Sequence, residues 1–167
     1  GGPGNPSDDP PGPFLLGVDE EGEVVWYYDP GDITGNHVDR DARPSDDGSL
    51  LLPLRNALRL VTEDGETLAE YSGDDLHEQR IHHDGLRLPG GGTLALVNEE
   101  RTVDVDGAPT EVKGDALVVW DAAGELSWQW SAFDHLPTDR FPGPLSQQTA
   151  GPSAAMDWTH ANGLDFD

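Results

Sequence analysis

Three segments of the chain share one pattern: 14–28 FLLGVDEEGEVVWYY, 57–71 ALRLVTEDGETLAEY and 116–130 ALVVWDAAGELSWQW. Each is a short apolar run, an acidic turn ending in glycine (Gly22, Gly65, Gly124), and a second run that finishes on aromatic residues. Glycine accepts the positive φ that such hairpin loops need, and an aspartate or threonine at the head of the turn can bond the turn's own amides. A second unit alternates with the first. Residues 41–52 (DARPSDDGSLLL) and 85–96 (GLRLPGGGTLAL) both read as strand, Pro-containing turn, strand. One repeat is therefore four short strands, A to D. Successive turn glycines lie 43 and 59 residues apart, and the longer gap has room for an extra hairpin, TVDVDGAPTEV, around Gly107.

That strand count and period predict an all-β chain built of β-propeller blades. A sandwich of about seven strands also fits regular turn spacing, but the recurring hairpin favours the propeller. Helices are not expected. No apolar i, i+3, i+4 stripe outlasts a single turn, and 21 Gly and 14 Pro punctuate the chain. Residues 1–13 (GGPGNPSDDPPGP) read as a disordered Gly/Pro linker. Residues 14–167 read as an incomplete propeller, with blade parts at about 14–28, 37–72, 82–131 and 160–167. That amounts to two full blades and parts of two others, short of the about 4 to 8 that close a ring. Exposed strand edges would then suit edge-to-edge pairing with a second copy.

Charge excludes several functions. The 33 acidic residues face only 9 basic ones, a formal net charge of −24, and Lys113 is the one lysine. Such a surface repels nucleic acid and anionic membranes, and it suits solvation in salt-rich cells. With no cysteine there is no disulfide, thiol catalysis or thiolate metal ligand. No run approaches the roughly 18 apolar residues of a membrane helix.

The chemistry concentrates in two places. HHDGLRLP (82–89) places His82, His83 and Asp84 directly before a plain strand-turn-strand that needs no histidine. HANGLDFD (160–167) aligns on it without gaps, setting His160 on His82, Ala161 on His83 and Asn162 on Asp84. HVDRD (37–41) offers His37 only with a one-residue shift. In a propeller the innermost strand A lines the central channel, so its start faces the mouth where ligands bind, and histidines from separate blades would converge there. The plain alternative is that these rings bond backbone carbonyls at blade junctions. Trp26, Trp120, Trp128 and Trp130 read as packing between blades. His77 and His135 stand alone in loops and carry no assigned role. A metal on His82, His83, Asp84 and His160 is compatible by ligand type but matches no recognised spacing, so no metal and no cofactor are expected.

HHDGLRLPGGGTLAL, the DALVVWDAAGELSWQW hairpin and DWTHANGLDFD together resemble the PAPS-independent arylsulfotransferases over roughly residues 14–167. The resemblance implies a propeller enzyme that moves a sulfuryl group from an aryl sulfate to a phenol, and export to a periplasmic or extracellular space. It implies active-site roles for His83 and His160, with His82 beside them. Asp84 and Asn162 would orient the rings, and Asp84, Asn162, Trp158 and Arg87 would contact substrate. The departures are Gly163 in place of the family's serine and Leu88-Pro89-Gly90-Gly91 in place of its LPNG turn. The family's later arginine and sulfuryl-carrying histidine would both fall past Asp167. The expectation is therefore half an active site, inactive alone, with a non-catalytic ligand- or protein-binding propeller segment as the alternative.

Overall fold

A computed structural model describes residues 15–29, 42–54, 57–76, 80–105, 107–138 and 155–167. The linker expected over 1–13, the His37 echo and His77 lie outside the described residues. Within them the chain is all-β. A hairpin pairs β1 (Leu15–Val18) with β2 (Val24–Tyr28). A four-stranded antiparallel sheet follows in the order β3 (Arg43–Pro44), β4 (Leu50–Leu54), β5 (Ala57–Val61) and β6 (Thr67–Ser72). A second antiparallel set runs β7 (Arg80–Arg87), β8 (Thr93–Val105), β9 (Ala108–Trp120) and β10 (Leu126–Ser131). Short β11 (Met156–Asp157) adds to it in parallel against β9 at Val112 and Lys113. Among the described residues helix is confined to a 3₁₀ turn at Gly73–Leu76 and one turn, α1, at Ala132–His135. No helix among the described residues is long and apolar enough to cross a membrane.

The turns follow from their glycines. At Gly22, Gly65 and Gly124 φ is 85°, 84° and 84°, and each glycine amide donates back to the carbonyl of the residue that opens the turn, Asp19, Thr62 or Asp121. Asp19 Oδ1 also accepts from the Glu21 and Glu23 amides, and Asp121 Oδ1 from those of Ala123 and Glu125. The acidic residue at the head of each such turn is thus a local backbone ligand as well as a charge.

Side-chain alternation then decides how the units meet. Tyr28, Leu52 and Val61 form one core between the first hairpin and the first sheet, sealed by Trp26, whose Nε1–H donates to the Glu63 carbonyl at 2.7 Å. Leu51, Leu58, Leu60 and Tyr71 form a second core against Ile81, Ala95, Val97, Val118 and Trp120 of the next sheet. Tyr71 and Trp120 meet there with ring centroids 5.0 Å apart.

The hairpin expected around Gly107, where φ is 85°, is present as the tip of a longer one: β8 and β9 pair without a break from Thr93↔Trp120 to Val105↔Ala108. Their outer halves alternate in exposure because they run on past the main core. The structure departs from the sequence reading in three places. Residues 160–167 form no strand. A strand needs a ladder partner, and backbone groups here bond side chains instead, Ala161 N–H to Asp115 Oδ2 and Leu164 N–H to Asp84 Oδ2. Trp128 is 47% exposed rather than packed between sheets. His135 is no loop residue: it lies in α1 and stacks flat on Trp130 at 5.0 Å.

Candidate functional site

The strand that carries the paired histidines is broken by a bulge. In the β7–β8 ladder Ile81 pairs with Val97 and Gly85 with Ala95, so three residues, His82, His83 and Asp84, stand opposite Leu96 alone. A bulge bends its strand and re-aims the side chains it carries. His83 takes φ 55° to accommodate it. The one other non-glycine residue with positive φ among those described is His160, at 46°. A left-handed backbone costs an ordinary residue about 1–2 kcal/mol, and such strain gathers at sites where the surroundings hold it for a purpose.

These two strained residues meet. The His83 and His160 rings lie 5.4 Å apart between centroids, and His82 abuts His83 edge-on at 5.0 Å. The structure thus brings His82, His83 and His160 together. The shared conformation matches His160 with His83, one residue off the gapless alignment of the two motifs.

Carboxylates attend two of the rings, and neither is Asp84. His160 Nδ1 lies 2.6 Å from Asp157 Oδ2, which also meets Lys113 Nζ at 3.2 Å, while Asp157 Oδ1 is buried without a partner. His82 Nε2 is 3.0 Å from Asp115 Oδ1, an ion pair only when the ring is protonated. Burial by itself would raise the Asp115 carboxyl. His82, Thr159 and the Ala161 amide outweigh that, and its pKa falls below the usual carboxylate value.

A carboxyl with a lower pKa folded than unfolded stabilises the fold fully above its unfolded value, about 4, and that stability is lost as pH falls through the folded pKa. Wild type is therefore expected to exceed Asp115→Asn in stability above about pH 5, with the gap shrinking at more acid pH. Urea midpoints measured across this range check it; a gap that widens on acidification contradicts it.

The other residues expected at the site do different work. Asp84 is buried and holds three segments together. Its Oδ2 accepts from Arg43 Nη2 at 2.6 Å and from the Leu164 amide at 2.8 Å, and its Oδ1 from the Gly85 amide. Asn162 Nδ2 donates to the His160 carbonyl and so braces that strained residue. Trp158 is 5% exposed and packs on Phe133 with centroids 5.0 Å apart, which leaves little of its face for an aryl ring. Arg87 donates to Thr93 Oγ1 and lines a cavity of about 510 Å³ with Arg43, Asp47 and Phe166. That cavity lies at the turn end of β7 and none of the three histidines lines it.

Sequence reasoning missed Arg43, Lys113, Asp115, Asp157 and Thr159. Asp157 and Thr159 flank Trp158 within the DWTHAN motif, and Lys113 was visible as the lone lysine.

Antiparallel sheets built on one repeated hairpin define an all-β protein, in which three histidines gather and carboxylates lie against two of them, His82 and His160. The chain belongs to the arylsulfotransferase family, whose model, described as arylsulfotransferase (ASST), matches residues 6–167. No curated protein matches it.

Proposed function

We propose that this chain supplies part of a sulfuryl-transfer centre, moving a sulfuryl group from an aryl sulfate to a phenol, and that its sheets are blades of a β-propeller. The observation that carries the first part is the pair of left-handed histidines, His83 and His160, with rings 5.4 Å apart. As the aryl O–S bond breaks, negative charge grows on the bridging oxygen. A protonated imidazole fixed nearby hydrogen-bonds that oxygen and returns the proton to the departing phenolate. A neutral imidazole takes the proton of the acceptor phenol as its oxygen attacks sulfur. Two or three adjacent rings can divide these tasks.

The propeller reading is supported by the repeat. Val18, Val61 and Trp120 occupy the same position of their hairpins; the latter two are 0% and 5% exposed beneath the preceding unit, and Val18 is 60% exposed. A further blade against Val18 would complete the series.

Titration with 4-nitrophenyl sulfate is expected to shift the His83 and His160 ring resonances together. Binding that leaves both unmoved would overturn the site assignment. On the reading that this chain supplies only part of the centre, phenol-dependent release of 4-nitrophenol is not expected from residues 1–167 by themselves. Release that disappears in His160→Ala would instead place the whole catalytic set inside this chain. Binding without transfer, even after further blades are supplied, would favour a ligand-binding propeller.

A further inference from the structure

We propose that Asp157 and Lys113 form a positioning pair that fixes the tautomer of His160, so that Nδ1 keeps its proton toward Asp157 and Nε2 presents a lone pair to the site. The inference rests on the reading of His160 as an acid–base group and adds which nitrogen acts and what holds it there.

At 2.6 Å, the contact between His160 Nδ1 and Asp157 Oδ2 must contain a proton, which belongs either to the ring or to the carboxyl. Lys113 decides between them. An ammonium has only hydrogens to give, and its Nζ stands 3.2 Å from the same Oδ2. A positive charge that close favours the ionised carboxylate, so the proton shared with His160 sits on Nδ1. The neutral ring then has its lone pair on Nε2. Lys113 reaches this position by registry, since β11 pairs with β9 so that Asp157 stands directly beside Lys113.

Two local costs mark the arrangement as more than packing. Asp157 Oδ1 is buried with no partner, and a buried unsatisfied oxygen costs about 1–3 kcal/mol. His160, in the same contact, carries a left-handed backbone. Unsatisfied and strained groups side by side are what a fold tolerates where geometry serves chemistry. In the transfer step, the phenol O–H bond breaks and an Nε2–H bond forms. The ring gains one positive charge opposite the Asp157 carboxylate, and the phenol oxygen is left with the electron pair that attacks sulfur.

Long-range ¹H–¹⁵N spectra of the histidine rings, recorded on the whole chain without substrate, test this. The expected result is His160 as the Nδ1–H tautomer, with a pyridine-like Nε2 signal. Asp157→Asn supplies an amide N–H that can face Nδ1, so the pyridine-like signal is expected to move from Nε2 to Nδ1. Lys113→Met is expected to lose the single tautomer in favour of a mixture, and Lys113→Arg to restore it. Wild-type His160 in the Nε2–H form overturns the proposal, even if Asp157→Asn fails to fold. So does an unchanged tautomer in a folded Asp157→Asn. Because no substrate is present, failure here leaves the sulfuryl-transfer reading untouched, and failure of aryl sulfate binding leaves this one standing.

Discussion

Leu58→Ala is expected to cost about 2–5 kcal/mol, and Gly85→Ala about 1–3 kcal/mol, for opposite reasons at one point of contact. Leu58 is fully buried where the first four-stranded sheet meets the second. Gly85, at the end of the β7 bulge, faces it so closely that an added Cβ would lie 2.5 Å from Leu58 Cδ1 and 3.2 Å from the Leu94 carbonyl oxygen. Removing the leucine leaves a cavity; adding the methyl overfills the same space. The double variant should therefore be more stable than the sum of the single losses predicts, with a coupling of about 1–2 kcal/mol. Urea unfolding of the four proteins measures it. Losses that add within about 0.5 kcal/mol would mean that the sheets do not meet at this pair. The same contact sets how closely the bulge, and with it His83, approaches the first sheet.

The fold was legible wherever one residue type has one backbone use. Gly22, Gly65 and Gly124 turn their hairpins because a left-handed position next to an acidic turn residue suits glycine, and the apolar runs beside them alternate as sheet faces must. The β7 bulge was not legible. Alternation is read from apolar and polar order, and His82-His83-Asp84 is polar throughout, so two extra residues leave no trace in the pattern. The strand expected at 160–167 failed for a related reason. GLDFD alternates like a strand, but alternation says nothing about whether a neighbouring ladder exists. Here carboxylates and the Arg43 guanidinium take the backbone groups instead.

At the site, the histidines were readable because six histidines in the chain make two similar clusters conspicuous. Their carboxylates were hidden by number. Among 33 acidic residues, Asp115 and Asp157 have no compositional signal, and only their burial, at 6% and 9% exposure, separates them from the solvated majority. Arg43 was unreadable as well, since it reaches Asp84 from 41 residues away across a sheet boundary. Asp84, adjacent to two histidines, was expected to orient rings and touch substrate; the partners the structure gives its oxygens, Arg43, Leu164 and Gly85, had no signal in the sequence.

Asp84→Ala is expected to release residues 160–167 and so separate His160 from His83. Asp84, its side chain 10% exposed, touches β3, the β7 bulge and the Leu164 amide at once. Arg43 adds a second tie by donating to the Leu164 carbonyl at 3.2 Å, and it would lose the partner that aims it. Breaking a fully buried ion pair costs about 3–5 kcal/mol. The Arg43 side chain is 41% exposed, so water takes up part of the loss, and about 2 kcal/mol is the expected figure. Concentrated on one segment, that corresponds to roughly 30-fold faster hydrogen exchange at the Leu164 amide. The nuclear Overhauser contact between the His83 and His160 rings should disappear with it. Asp84→Asn keeps an acceptor oxygen without the charge and should fall between alanine and wild type. A substrate-contacting Asp84 would behave otherwise: the alanine variant would bind aryl sulfate less well while Leu164 exchange and the ring contact stayed as in wild type. That outcome would refute the clamp.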